Sequence, residues 1–516
     1  MNKAIYIATS EQNSGKSIIT LGLMSMLMGK MAKVGYFRPI IEDIEEGGFD
    51  NHIETVIGHF GMDIEFEDAY AITKSKLIKK KNKGKIGEVL DLIIEKYKKL
   101  EERFDFVLVE GTGFTGEGTV IELDMNVLIA KNLGIPTIIV GSGAGKTLEE
   151  LIDSLYLLYD SFKVKDVEVL AVIANKVQLQ NIELVTNSLK KSLPQNILVN
   201  SIPLIQNLNN PTVQEIVNEL DAKVLFGAAH LNNQTGSFSV GAMQLRNYLL
   251  HLKENSLVIT PGDRADIILG ALQANESLNY PTISGIVLTG NIVPEDSILK
   301  LIEGLSTIVP IIAVEEGTYF ITNKIGSIKS KIYANNKQKI KISIATFEKY
   351  VDLDNLAEKL ITFEAEGMTP KMFQYNLVKR AREHRKHIVL PEGNDERIIR
   401  AVSRLLEMDV VAISVIGNKK QIESKVLELG LFFDFSKVQI INPIESEHFD
   451  DYVNTYYELR KAKNVTIEMA KDLMEDVSYF GTMMVYKGHA DGMVSGAAHT
   501  TQHTILPALQ FIKTKP

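Results

Sequence analysis

Short, almost wholly apolar runs alternate with helix-period segments along the first 200 residues, and this alternation constrains the fold most. The runs fall at 4–8, 34–37, 106–110, 136–140, 167–174 and 195–199. Between them lie amphipathic stretches such as 86–100, with apolar residues at helical spacing. Strands with no polar face must be covered on both sides. That implies a parallel sheet with helices on each face. The punctuation Asn209-Asn210-Pro211 marks a boundary.

The pattern repeats with different lengths downstream. A second block carries strand candidates at 224–226, 256–260, 285–289 and 308–314, with glycines at their turns. The Lys-rich stretch 327–341 reads as a connector and 347–363 as a helical segment. A third block opens with a basic helix over 373–384. Strands follow at 387–390, 410–415, 438–441 and 491–495, with a helix near 419–429. A chain of 516 residues has room for about three or four domains. The expected architecture is three α/β domains, at 1–215, 216–345 and 346–516.

Composition removes several chemistries. There is no Cys, hence no disulfide, thiolate nucleophile, iron–sulfur cluster or Cys-ligated zinc. Lys and Arg number 56 against 65 Asp and Glu, a net charge of −9. That balance argues against a nucleic-acid or polybasic membrane partner. Residues 18–28 form an apolar stretch, but Thr20, Gly22 and Ser25 interrupt it and it is too short to span a bilayer. The start lacks a signal-peptide pattern, so a cytoplasmic protein is expected.

The motifs are few. Ser10-Glu11-Gln12-Asn13-Ser14-Gly15-Lys16-Ser17 follows a strand and opens a helix. Free backbone N–H groups and the helix dipole attract phosphate there, and Lys16 adds a point charge. Ser10 stands where the leading Gly belongs, so a nucleotide loop and a plain chain turn both remain open. Glu110 ends a strand: it either holds Mg²⁺ beside a phosphate or is a strand-end acid satisfied by a loop N–H. Gly141-Ser142-Gly143-Ala144-Gly145-Lys146-Thr147 imitates a second such loop with its first Gly displaced, and reads as a tight strand-to-helix turn. His499 and His503 share helical spacing but have no Glu between them, so hydrogen-bonded imidazoles are expected and no metal. Leu390-Pro391-Glu392-Gly393 through Arg397 ends a strand and starts a helix. Arg460 is either a surface charge or a phosphate clamp. The stretch from Asp491 to Thr501 is a strand and then a turn of small and hydroxyl residues, where backbone approaches a ligand closely.

Together these residues resemble the long, multidomain phosphate acetyltransferases, across essentially the whole chain. The stretch 491–513 carries Val494-Ser495-Gly496-Ala497 and Pro507-Ala508-Leu509-Gln510, similar to that family's signature. Thr260-Pro261-Gly262-Asp263-Arg264 resembles a signature of its DRTGG-type regulatory domain. Asn233-Gln234-Thr235-Gly236-Ser237 is a degenerate form of the naming motif. Phe37-Arg38-Pro39-Ile40 and Val109-Glu110-Gly111 resemble its P-loop, dethiobiotin-synthetase-like domain. The resemblance implies acetyl transfer between CoA sulfur and inorganic phosphate, with acetyl-CoA and phosphate as partners and no required cofactor or metal. It implies substrate and CoA contacts at Arg397, Arg460, Ser495, Gly496, Thr500 and Thr501. Ser14, Gly15, Lys16, Ser17 and Glu110 would form the nucleotide-like site, and a homo-oligomer is expected. Leu506 and His503 depart from the family's Arg and Asp. By the resemblance, the catalytic Ser, Arg and Asp lie beyond Pro516. No residue here inherits those roles, and weak or no activity is expected of the chain alone. Two other readings stay open: a non-catalytic nucleotide- or metabolite-sensing protein, and an ATP-dependent carboxylase-like ligase.

Overall fold

The computed structural model describes residues 3–9, 11, 13–44, 48–113, 119–305, 309–363, 367–431 and 433–512. They form two compact units, Met1–Met372 and Phe373–Pro516. Among the described residues the strands make three sheets. Also among them, no helix is long and apolar enough to cross a membrane.

The first sheet contains β1 (Ala4–Thr9), β2 (Val34–Ile41), β3 (Tyr70–Thr73), β4 (Phe106–Glu110), β5 (Thr137–Ser142), β6 (Val169–Val177) and β7 (Leu198–Pro203). Its order is β3-β2-β4-β1-β5-β6-β7, parallel throughout. β1, β2, β4 and β5 are buried at every position, as strands covered on both faces must be. The short β3 escaped the sequence reading because only one of its four residues is fully buried. The lysines at 74–82 form a helix whose exposed side chains meet acids, Lys80 reaching Glu88 at 2.8 Å.

The second sheet contains β8 (Lys223–Phe226), β9 (Ser237–Val240), β10 (Ser256–Pro261), β11 (Ile283–Thr289) and β12 (Ile311–Ala313). Its order is β8-β12-β11-β10-β9, with only β8 antiparallel. β9 was not foreseen, because its half-exposed Ser-Phe-Ser-Val run lacks the apolar continuity of its neighbours.

The stretch 327–341 is not a free connector. Lys339 is 1% exposed, and its Nζ lies 2.7 Å from Glu215 Oε2. The helical segment 347–363 is shared between two helices. They are Lys337–Tyr350 and Leu353–Thr362, separated where the Asp352 side chain caps the second by accepting from Asn355 N–H. The first of these packs on the helix Lys16–Lys30. A Cβ on Gly22 would stand 2.1 Å from the Phe347 ring, so glycine permits that approach. Residues 346–372 therefore group with the first unit, whereas the sequence reading opened the third domain at 346.

The second unit has β13 (Lys386–Leu390), β14 (Val411–Ile416), β15 (Val438–Ile441) and β16 (Gly492–Met493), in the parallel order β15-β14-β13-β16. The expected strand 491–495 shrinks to two residues. Aromatic and Met side chains from Phe449–Arg460, Ile467–Glu475 and Val477–Tyr486 fill the core on one face.

Candidate functional site

In the first unit, the loop after β1 and the end of β4 meet at the carboxyl edge of the sheet, beside its topological switch point. That is where open α/β sheets take ligands. Gly15 precedes the helix Lys16–Lys30 with φ +81, a left-handed backbone that glycine adopts without strain. Asn175 Nδ2 donates to the Ser14 carbonyl at 2.8 Å, and Lys176 Nζ to the Asn13 carbonyl at 2.7 Å. Lys16 folds inward and donates to the Gly111 carbonyl at 2.8 Å. Thr9 Oγ1 and Ser14 Oγ are buried without a protein partner. Ser10 and Gln12 lie outside the described residues.

Glu110 is fully buried, and its partners are side chains rather than a loop N–H. Its Oε2 accepts from Thr20 Oγ1 and Tyr36 OH, each at 2.8 Å. Its Oε1 faces His52 Nδ1 at 3.0 Å and Arg38 Nε at 3.6 Å. Burial alone would raise its pKa. His52, Arg38 and Lys16 outweigh burial and hold the carboxyl well below its ordinary range. Arg38 also pairs with Asp50. Oε2 is committed, and Oε1, which accepts no hydrogen bond, faces His52 and Arg38, so this carboxylate offers a metal little. Among the described residues no three His, Asp or Glu gather into a metal site.

The Gly-Lys-Thr at 145–147 is a helix start. Thr147 and Glu150 form a capping box, and Lys146 Nζ reaches Glu11 at 2.6 Å.

In the second unit, the chain leaves β13 and β16 side by side. The chain runs outward from β13 to β14 and β15, then returns on the far side as β16, so the two loops flank the switch point. Glu392, just beyond β13, is 4% exposed. Its Oε2 accepts from the N–H groups of Gly496 (3.0 Å) and Ala497 (2.8 Å), and its Oε1 from those of Ala498 (2.7 Å) and His499 (2.8 Å). Burial pushes its pKa up, but these donors prevail and the net shift is downward. Arg397 grips Asp395 through Nε at 3.0 Å and Nη2 at 2.8 Å, and Nη2 also donates to the Ala497 carbonyl. That grip holds Asp395 down to about 2. Asp395 itself caps the helix Glu396–Met408. Thus Arg397, Ser495 and Gly496 come together, with Thr500 and Thr501 at the start of the helix Thr501–Phe511. Thr500 is its N-cap, accepting from His503 N–H.

Arg460 ends the helix Phe449–Arg460 in a second cluster of the same unit. It interacts with Tyr456, whose OH donates to Gln510 Oε1 at 2.6 Å. Arg460 Nε, Ser495 Oγ and Thr504 Oγ1 are buried atoms without a protein partner. His499 and His503 do not converge on a metal geometry. Their rings lie 4.5 Å apart, His503 Nε2 meets Asp476 Oδ2 at 2.8 Å, and His499 Nδ1 meets Glu392 Oε1 at 3.3 Å. Leu506 is 38% exposed.

Comparison with known proteins bears on this arrangement. A family described as phosphate acetyl/butaryl transferase matches residues 372–516. An AAA domain matches 3–212 and a DRTGG domain 215–328. The phosphate acetyltransferase of Nitratidesulfovibrio vulgaris is 41% identical over 521 residues, spanning 100% of this chain and 74% of that protein. This chain belongs to the phosphate acetyltransferase family. The Synechocystis phosphate acetyltransferase is 40% identical over 527 residues, with the same two coverages. A phosphotransacetylase structure from Streptococcus pyogenes is 41% identical, covering 29% of this chain and 44% of that one, with a TM-score of 0.27.

Membership in this family supports a transferase enzyme. Sequence reasoning missed two groups in it. Glu392 was visible only as a letter in a strand-end motif, since its four donors lie more than 100 residues away. Asp50 and His52 gave no local signal either: His52, in the first turn of the helix Asn51–Phe60, meets Glu110 only in the fold, and Asp50 joins the group through Arg38.

Proposed function

We propose that this chain holds acetyl-CoA and phosphate at the carboxyl edge of the sheet β15-β14-β13-β16, the substrates of the family's acetyl transfer between CoA sulfur and phosphate oxygen. The observation that carries this reading is the unpartnered buried polar set in that unit. Ser495 Oγ and Arg460 Nε have no acceptor or donor within the protein. A buried polar atom left unmet costs free energy, and a ligand oxyanion meets it. In this reading Arg397 and Arg460 bind phosphate oxygens of the substrates, since a guanidinium presents parallel donors. Ser495, Gly496, Thr500 and Thr501 line the cleft, where donors aimed at developing negative charge lower the barrier.

Calorimetry with CoA tests it. Arg460→Ala is expected to weaken CoA binding about ten- to a hundredfold, because a hydrogen bond to a charged group contributes roughly 1.5–3 kcal/mol. Equal affinity of the variant and the parent would refute the placement. Release of CoA from acetyl-CoA and phosphate reads the reaction itself.

The first unit supports a second ligand, a nucleotide phosphate at Ser14, Gly15, Lys16 and Ser17 beside Glu110. The buried, unpartnered Ser14 Oγ and Thr9 Oγ1 favour it. Lys16 must then leave the Gly111 carbonyl, so Lys16→Ala should change ATP affinity; unchanged affinity would remove the reading. We also expect a homo-oligomer, which sedimentation would reveal.

A further inference from the structure

The transferase reading leaves one feature of the second unit unexplained: a carboxylate sunk into consecutive backbone amides. Four successive N–H groups, from Gly496 to His499, converge on Glu392 at 2.7–3.0 Å. Successive amides aimed at one point form an anion-binding nest. An ionised carboxylate offers about four acceptor positions, so supply and demand match. The nest depends on Gly496, whose φ is +106. A Cβ there would meet nothing within 4 Å, so glycine is needed for its backbone angle and not for room. The helix Thr501–Phe511 begins just beyond, and its N-terminal dipole also favours negative charge nearby.

The two ends of this contact come from different parts of the fold. Glu392 follows β13, and the amides follow β16. The register between those strands is only Ile388 with Gly492 and Val389 with Met493. A two-residue strand cannot by itself fix the seven residues after it. The loop is fastened instead by Glu392 on its N–H groups and by Arg397 on the Ala497 carbonyl. Ser495, Gly496, Thr500 and Thr501 all sit within it or at its ends.

We propose that Glu392 is a positioning residue for the substrate loop 495–501, acting as a built-in oxyanion in a site whose ligand class is carboxylate or phosphate. It makes no contact with the reacting groups. Its charge sets the loop so that Ser495 Oγ and the Thr500–Thr501 helix start face the cleft. Because it occupies the nest, the substrate's phosphate is left to the arginines. The inference rests on the assignment of that cleft as the substrate site, but the occupied nest can be tested apart from it.

The test uses the full chain with Glu392→Ala and Glu392→Gln. Glu392→Ala empties the nest, so formate should raise its melting temperature in a saturable way, while neutral formamide should not. The parent chain should show no such response. Glu392→Gln keeps the volume but turns an NH₂ toward two N–H donors, so hydrogen exchange at 496–499 should accelerate at least tenfold. CoA binding to Glu392→Ala should fall at least tenfold and recover with formate. A purely structural, space-filling Glu392 would give a variant indifferent to formate, and that result overturns the proposal. Parent-like exchange in Glu392→Gln, or unchanged CoA binding in Glu392→Ala, does so as well. If Glu392→Ala does not fold without formate, folding on its addition supports the proposal and failure to fold with it, together with parent-like exchange in Glu392→Gln, refutes it. Should the parent bind no CoA, the cleft assignment fails alone, and the formate response still decides what occupies the nest.

Discussion

Replacing Lys339 with Met should destabilise the first unit by about 3–5 kcal/mol, the range for stranding one member of a buried ion pair. The two side chains are 2% and 4% exposed, with Nζ and Oε2 2.7 Å apart. At that distance and an effective dielectric constant of about 20, the attraction is about 6 kcal/mol before desolvation is subtracted. Glu215 cannot escape to water. It also accepts from Lys331 N–H at 2.6 Å and Thr212 N–H at 2.8 Å, which tie it to the start of the second sheet's domain. Met keeps most of the apolar stem of Lys, so the measured loss reports the charge together with the Nζ hydrogen bonds to Glu215, Ser330 and the Lys331 carbonyl. A chain with three sheets need not unfold in one step, so the assay should follow hydrogen exchange in Val213–Leu220 and Lys337–Tyr350 beside the urea midpoint. The double variant Lys339→Met/Glu215→Gln should recover much of the loss, because it leaves no lone charge. A single variant within about 1 kcal/mol of the parent, or a double variant no better than the single, would refute the reasoning.

Other outcomes follow from the same contacts. The folded-state pKa of Glu110 is depressed, so its stabilisation is present above the unfolded-state value and fades as pH falls toward the folded one. Glu110→Gln should flatten the acid side of the melting-temperature profile, and an unchanged slope would count against the charge assignment. Gly22→Ala should cost roughly 1–3 kcal/mol by overpacking against Phe347. Thermal unfolding would show it, and Phe347→Leu should relieve part of the loss. Asp395→Ala should cost about 0.5–2 kcal/mol through loss of the helix cap. Because Asp395 is held down to about 2, that contribution should be full above pH ~4, about the unfolded-state value, fade as pH falls from there toward 2, and be lost below it. Melting of parent and variant across acid pH compares the two.

Wherever burial was complete, the elements were legible. β1, β4 and β5 are apolar runs because both faces of a parallel sheet exclude water, and composition alone carries that message. Half-exposed β3 and β9 send a weaker one and were missed. Lys339 shows the opposite failure. A Lys-rich run reads as solvated, yet one of its members is buried because an acid 124 residues away receives it.

The sequence by itself determined the α/β class, the fully buried sheet-forming segments, the family signature at 491–510 and the candidate polar residues. These depend on local pattern, which one chain displays in order. Only the tertiary structure decided what those residues do to one another. It placed Glu392 under four amides from a loop more than 100 residues away and surrounded Glu110 with the side chains of Thr20, Tyr36, His52 and Arg38. It clamped a Lys-rich connector to Glu215 through Lys339, in the first turn of the helix that ends it. Each of these is a long-range electrostatic pairing, and charge complementarity between distant segments has no period for a sequence to reveal.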